Sequence, residues 1–66
     1  MKKGYFTLYI RNNKNEETKL RDFKTKKEAE DFATILIPLY KDVGAKNHKL
    51  YVKYMPGNHL VADFEI

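Results

Sequence analysis

Thr25 to Leu39, TKKEAEDFATILIPL, restricts the fold more than any other stretch of this chain, because it combines a helical period with a start signal. Thr25 is placed to cap a helix with its hydroxyl while Glu28 reaches back to the Thr25 N–H, the reciprocal pairing of a T-x-x-E capping box. Ala29, Phe32, Ala33, Leu36 and Tyr40 then recur at steps of three and four, which aligns one apolar stripe. Lys27, Glu30, Asp31 and Thr34 fall on the other side. Such a stripe has to be buried, and no second segment is helical enough to receive it. The partner must be a sheet.

The rest of the chain supplies that sheet as two hairpins. In Tyr5 to Arg11, Phe6, Leu8 and Ile10 point one way and Tyr5, Thr7, Tyr9 and Arg11 the other, the period of a half-buried strand. Asn12 to Glu17 is polar, turn-prone and short enough for a hairpin loop. The return strand, Thr18 to Phe23, pairs Ile10 with Thr18 and Leu8 with Leu20 and sets Arg11 opposite Glu17. In that register Asp22 falls on the core face and Phe23 on the outer one. A bulge or an early end is therefore expected there, with Phe23 turning in under the start of the helix.

The helix is expected from Lys26 to about Ile37. Pro38 has no N–H and clashes with the carbonyl four residues back. Because Leu39, Tyr40 and Val43 continue the apolar pattern and Gly44 offers a left-handed cap, a kinked or restarted last turn should end near Val43. Leu50, Val52 and Tyr54 alternate with Lys49, Tyr51 and Lys53 in a third strand, and Pro56-Gly57-Asn58 forms a turn. A three-residue loop sets Tyr54 opposite Leu60, Val52 opposite Ala62 and Leu50 opposite Phe64 on the core side. Outside, Lys49 then faces Glu65 and Tyr51 faces Asp63. The expected fold class is α+β, a four-stranded antiparallel sheet in ββαββ order with one helix packed on one face, residues 1–66 forming a single domain. Strand order and the exposed edge stay open at this level.

Composition narrows the function classes. At 66 residues the chain is near the lower size at which one core holds without disulfides or metal, and its 42% apolar and 33% charged residues are those of a folded domain. It contains no cysteine and no serine, which removes thiolate sites and the usual nucleophile of a hydrolytic triad. Gly4, Gly44 and Gly57 lie singly, so there is no phosphate-cradling loop and no cofactor is expected. His48 and His59 border strands of the second hairpin and could approach across it. Without a carboxylate cluster they read as polar strand ends, not metal ligands. Asp63 and Glu65 read as cross-strand partners of Tyr51 and Lys49, not as a catalytic pair. An enzyme is not expected.

No apolar run approaches the roughly 18 residues of a membrane span, and Met1-Lys2-Lys3 is not followed by a signal-type apolar core. A cytoplasmic protein away from membranes is the expectation. The net charge of +4 and pI of 9.4 favour polyanionic partners.

A four-stranded sheet covered by one helix keeps one face open. Alternation places Tyr5, Thr7, Tyr9 and Arg11 there from the first strand and Lys19 and Arg21 from the second. Lys49, Tyr51, Lys53 and Met55 follow from the third, and Val61, Asp63 and Glu65 from the fourth. Rings interleaved with cations are what a nucleic-acid surface requires, since cations neutralise phosphates and flat rings stack on bases. They also suit a plain exposed strand. Tyr9, Arg11, Lys19, Arg21, Tyr51 and Lys53 are the candidate binding residues, with nucleic acid, DNA ahead of RNA, as the leading partner. The competing reading is a protein-interaction module, such as a phage-encoded modulator of a host enzyme, acting through the same face or by strand addition at an edge. A third is a homodimer through the open face that buries Tyr5, Tyr9 and Tyr51.

Gly4 to Phe32, a hairpin of aromatic and basic residues followed by Phe23-Lys24-Thr25-Lys26-Lys27-Glu28-Ala29, resembles the small amino-terminal arm-DNA-binding domains of phage and transposon tyrosine recombinases. In that family a short antiparallel sheet lies in the major groove and a helix opening on an F-x-T-x-x-E-A-type sequence braces it. The family places three strands before its helix; here two precede and two follow. The resemblance implies a DNA-binding accessory protein of a phage or mobile element.

Overall fold

Both hairpins form, and they join. A computed structural model describes residues 4–66; the Met1-Lys2-Lys3 start, on which the expectation about a signal segment rests, lies outside them. The first hairpin is β1 (Tyr5–Arg11) with β2 (Glu17–Phe23) and the second β3 (Lys49–Met55) with β4 (His59–Glu65), and α1 (Lys26–Asp42) lies between them in the chain. The order across the antiparallel sheet is β2-β1-β3-β4, so the first strand of each hairpin is central and the second is an edge. The β1–β3 pairing sets Phe6 opposite Tyr54, Leu8 opposite Val52 and Ile10 opposite Leu50. Facing residues of paired strands share a side, so Phe6, Leu8, Ile10, Leu50 and Val52 make one apolar field under the helix, with Tyr54 at its exposed margin against Phe6.

The helix settles on that field through its two smallest side chains. Ala29 and Ala33 are fully buried against Leu8, Leu50 and Val52, and Phe32, Leu36, Ile37 and Tyr40 extend the contact. With nothing beyond Cβ at the two central positions, α1 can lie close to the strands. The Thr25 hydroxyl accepts the Glu28 N–H at 3.1 Å, the hydroxyl half of the expected capping box. At the other end the last turn finishes near Val43 as expected, but α1 reaches it as one α-helix that runs through Pro38 to Asp42, without the break expected after Ile37. The carbonyl that Pro38 cannot bond belongs to Thr34, and both residues are on the exposed side where water replaces the lost donor. Gly44, at φ +82°, closes the helix as expected: its N–H donates to the Lys41 carbonyl at 3.1 Å and the Ala45 N–H to the Tyr40 carbonyl at 3.0 Å, the bond pair of a Schellman motif.

Each edge strand carries one bulge, and both bulges change which residues face out. In the first hairpin Arg11, Ile10 and Tyr9 face Glu17, Thr18 and Lys19 as expected, but Leu8 then faces Arg21, Thr7 faces Asp22 and Phe6 faces Phe23. The extra residue sits at Leu20, earlier than the strand end where the sequence suggested an irregularity. Strict alternation could turn only one of Leu20 and Phe23 toward the helix; the inserted residue lets both pack on the core. In the second hairpin the expected register holds from Lys49 to Val52 and then slips by one, so that Lys53 faces Leu60 and Tyr54 faces His59. Leu60 therefore comes to the open face, 59% exposed, and Val61 packs against the core, the reverse of the expected assignment. His48 and His59 fall at opposite ends of this hairpin, about 20 Å apart by strand rise, so the expected approach across it does not occur.

The Ile66 N–H donates to the His48 carbonyl at 3.0 Å, which ties the segment after β4 to the start of β3. No helix among the described residues is long and apolar enough to cross a membrane.

Two substitutions test this packing. Leu8→Ala empties the centre of the field and should lower unfolding free energy by about 2–5 kcal/mol, read from urea midpoints. Gly44→Ala meets nothing within 4 Å, so its cost of about 1 kcal/mol should be purely that of holding alanine at positive φ.

Candidate functional site

The open face is built in rows, because the register of four strands fixes which side chains stand abreast. From β2 across to β4, the first row reads Glu17, Arg11, Lys49, Glu65; the second Lys19, Tyr9, Tyr51, Asp63; the third Asp22, Thr7, Lys53, Leu60. The central strands contribute three cations, two stacked rings and a threonine. The outer strands contribute every carboxylate of these rows. These rows thus form a cationic, aromatic spine fenced on both sides by acid, and with Lys19 their four cations balance their four carboxylates. The net charge of +4 is carried elsewhere on the chain.

The spine is held by its own contacts. Tyr9 and Tyr51 stack at 5.6 Å between centroids, 13° from parallel. The Arg11 guanidinium lies 5.2 Å from the Tyr51 ring centre, and the Lys53 ammonium lies 5.1 Å from that of Tyr9 and 5.4 Å from that of Tyr51. These are cation–π distances. Tyr51 donates its hydroxyl to the Glu17 carboxylate, and Lys53 reaches the same oxygen at 3.5 Å. Glu17 therefore ties β2 to β3 over the top of β1. The hydrogen bond from Tyr51 and the nearby Lys53 charge outweigh desolvation and hold the Glu17 carboxyl below its usual range. Burial, reinforced by the carboxylate it faces, pushes the Tyr51 phenol up. On the other flank Asp22 accepts the Thr7 hydroxyl at 2.7 Å and pairs with Lys19 at 3.2 Å, and the Thr7 bond keeps its carboxyl low.

Five of the six candidate residues stand on the face where alternation placed them; Arg21 changes face, and Tyr51 keeps its face but not its expected exposure. Tyr9, Arg11, Lys19 and Lys53 are on the open face. Arg21 is not: the Leu20 bulge turns it to the helix side, its guanidinium 5.7 Å from the ring centres of Phe23 and Phe32. Tyr51 is on the face but only 3% exposed, so it supports Arg11 and Lys53 instead of offering a ring to a ligand. A dimer through this face could not bury Tyr51 further. Two residues that alternation and cross-strand pairing did not single out complete the site. Glu17 had been assigned only to Arg11, although a buried tyrosine hydroxyl demands an acceptor. Leu60 reached the face only through the second bulge. Together with Arg11, Lys49, Tyr51, Lys53 and Asp63 it lines a shallow depression of about 170 Å³.

Glu17 sets an acid sensitivity. A carboxyl held low in the folded state contributes stability that is present above its unfolded value and lost as pH falls through the folded one. Glu17→Gln should therefore be less stable than the parent at neutral pH, with the gap in urea midpoints closing between about pH 5 and pH 3. A gap that stays constant with pH would deny Glu17 its bridging role.

Compared with known proteins, the chain matches no family model, no curated protein and no solved structure.

Proposed function

We propose that this is a non-enzymatic binding protein whose open sheet face takes a single extended strand of nucleic acid, DNA ahead of RNA, laid along the β1–β3 spine. The observation that carries the reading is the arrangement of Arg11, Lys49 and Lys53 beside the Tyr9–Tyr51 stack on two adjacent central strands, with the carboxylates confined to the outer ones. Arg11 and Lys49, abreast in the first row, and Lys53 in the third can meet phosphates at two levels of one strand, while Tyr9, half-buried, and Tyr5, 40% exposed, present ring surface to bases.

The fence decides the form of the ligand. Carboxylates on β2 and β4 stand about 14 Å apart at ordinary strand spacing. A sheet inserted in a major groove about 12 Å wide brings its outer strands to walls lined with phosphate, where Glu17, Asp22, Asp63 and Glu65 would repel. A single strand on the spine avoids them. The likeness of residues 4–32 to recombinase arm-binding domains supports a DNA partner but not their major-groove docking, and in that light the protein is a cytoplasmic accessory factor of a phage or mobile element. The ion pairs already on the face do not oppose this. Lys49–Glu65, at 4.0 Å, and Lys19–Asp22 are solvent-exposed pairs, of a kind worth about 0–1 kcal/mol, so a phosphate can replace them.

One observation favours a protein partner instead: a face with four cations and four carboxylates has no net charge to attract a polyanion from a distance, and mixed charge around tyrosine and arginine is common in protein interfaces. Fluorescence anisotropy with a labelled oligothymidylate and with a duplex of equal length separates the readings. The single strand should bind more tightly than the duplex, with a log–log salt slope of about −2, as three phosphate contacts imply. Tyr9→Ala should weaken binding by roughly tenfold or more and Arg11→Glu should abolish it, each with unchanged circular dichroism. Absence of binding to either oligonucleotide at low salt would leave the protein partner as the reading.

A further inference from the structure

The outer surface of α1 changes character halfway along. Its first half is charged and internally paired, Lys26 with Glu30 at 3.7 Å and Lys27 with Asp31 at 3.4 Å. Its second half exposes Ile35 (59%), Leu39 (55%) and Val43 (78%), with Pro38 beside them. Steps of four place these three in a straight ridge along one flank, on the side of Phe32, whose ring meets Phe23 of β2. An open groove of about 540 Å³, with Phe23, Phe32 and Ile35 in its lining, continues the ridge toward the start of the helix.

We propose that this ridge is the contact between two copies of the chain, packed helix against helix about a two-fold axis near Leu39. Ridges of four-residue period interdigitate with copies of themselves at a crossing near −50°, and an axis at Leu39 sets Ile35 of one copy against Val43 of the other. The same axis carries Asp31, one turn before Ile35, toward the corner after Val43 where Lys46 is exposed; the solvent-exposed Lys27–Asp31 pair is of a kind worth about 0–1 kcal/mol, so Lys46 of the other copy can share that carboxylate. Asp42 stays at the solvated rim.

Other routes to association are guarded. Both sheet edges carry a bulge, at Leu20 and Val61, which discourages edge-to-edge pairing. Antiparallel self-pairing of β2 about Leu20 would also set Lys19 against Arg21. The open face is, among the described residues, balanced in charge and occupied by its own contacts. Area sets the strength: the flank from Glu28 to Val43 is about 24 Å long and a helix about 10–12 Å wide, so the pair falls below the ~1,200 Å² of a standard complex and the dimer is weak and reversible. Small cores gain from such a partner, and among the described residues the fully buried apolar cluster is Leu8, Ala29, Ala33, Leu50 and Val52. This contact does not depend on the nucleic-acid reading. It places the helices inside and the two open faces outside, directed away from each other.

Sedimentation of the full chain from about 10 μM to about 1 mM tests it. The weight-average mass should rise from 7.8 kDa toward twice that value. Leu39→Glu, at an exposed position, should keep the circular dichroism of the parent and remain at 7.8 kDa throughout. Ile35→Lys should do the same, and Leu60→Glu on the open face should dimerise like the parent. A parent chain that stays monomeric at the highest concentration, a folded Leu39→Glu chain that still associates, or loss of association in Leu60→Glu would each overturn the proposal.

Discussion

The antiparallel seam between β1 and β3 is the contact on which the remaining structure depends. Each hairpin is a local product of its turn, but a lone hairpin has too little apolar surface to be stable. The seam brings together residues 38 to 50 positions apart in the chain and aligns Phe6, Leu8 and Ile10 with Tyr54, Val52 and Leu50. Only then does the stripe of α1 have a surface broad enough to cover. The two alanines at its centre, Ala29 and Ala33, are what let the helix approach that surface.

The same seam generates the open face. Pairing Tyr9 with Tyr51 across β1 and β3 stacks their rings, and the stack becomes the platform over which Arg11 and Lys53 lie. Glu17 then closes the arrangement from β2, so that one carboxylate links the two hairpins on the side away from the helix. The core holds the seam from below, and the Tyr51–Glu17–Lys53 bridge holds it from above. A surface that orders its own cations has less to lose when a ligand fixes them.

The two bulges illustrate how core and surface share one alternation. At Leu20 an added residue admits both Leu20 and Phe23 to the core, and the consequence outside is that Asp22 joins the open face while Arg21 leaves it. At Val61 the exchange is of one apolar residue for another, Val61 inward and Leu60 outward. The bulges also spoil both sheet edges as templates for a further strand. What remains apolar and uncovered lies mainly on the helix, along Ile35, Leu39 and Val43.

Much of this architecture was legible in the residues themselves. Period two in Tyr5–Arg11 and Lys49–Met55, period 3.6 from Ala29 to Tyr40, the Thr25 cap and the Gly44 terminus each depend on neighbours a few positions away, and local chemistry decides them. The face of each central-strand residue followed from the same alternation, which is why Tyr9, Arg11 and Lys53 were placed correctly. The end of the helix near Val43 also followed from the apolar pattern and Gly44, whereas its unbroken passage through Pro38 depends on Thr34 and Pro38 both being exposed, a fact of burial that no local pattern contains. Strand order, the position of the Leu20 bulge, the removal of Arg21 to the helix side and the covering of Tyr51 by Arg11, Lys53 and Glu17 were all decided by tertiary structure. Each depends on which groups compete for the same buried space, and that competition exists only after segments distant in the chain have met.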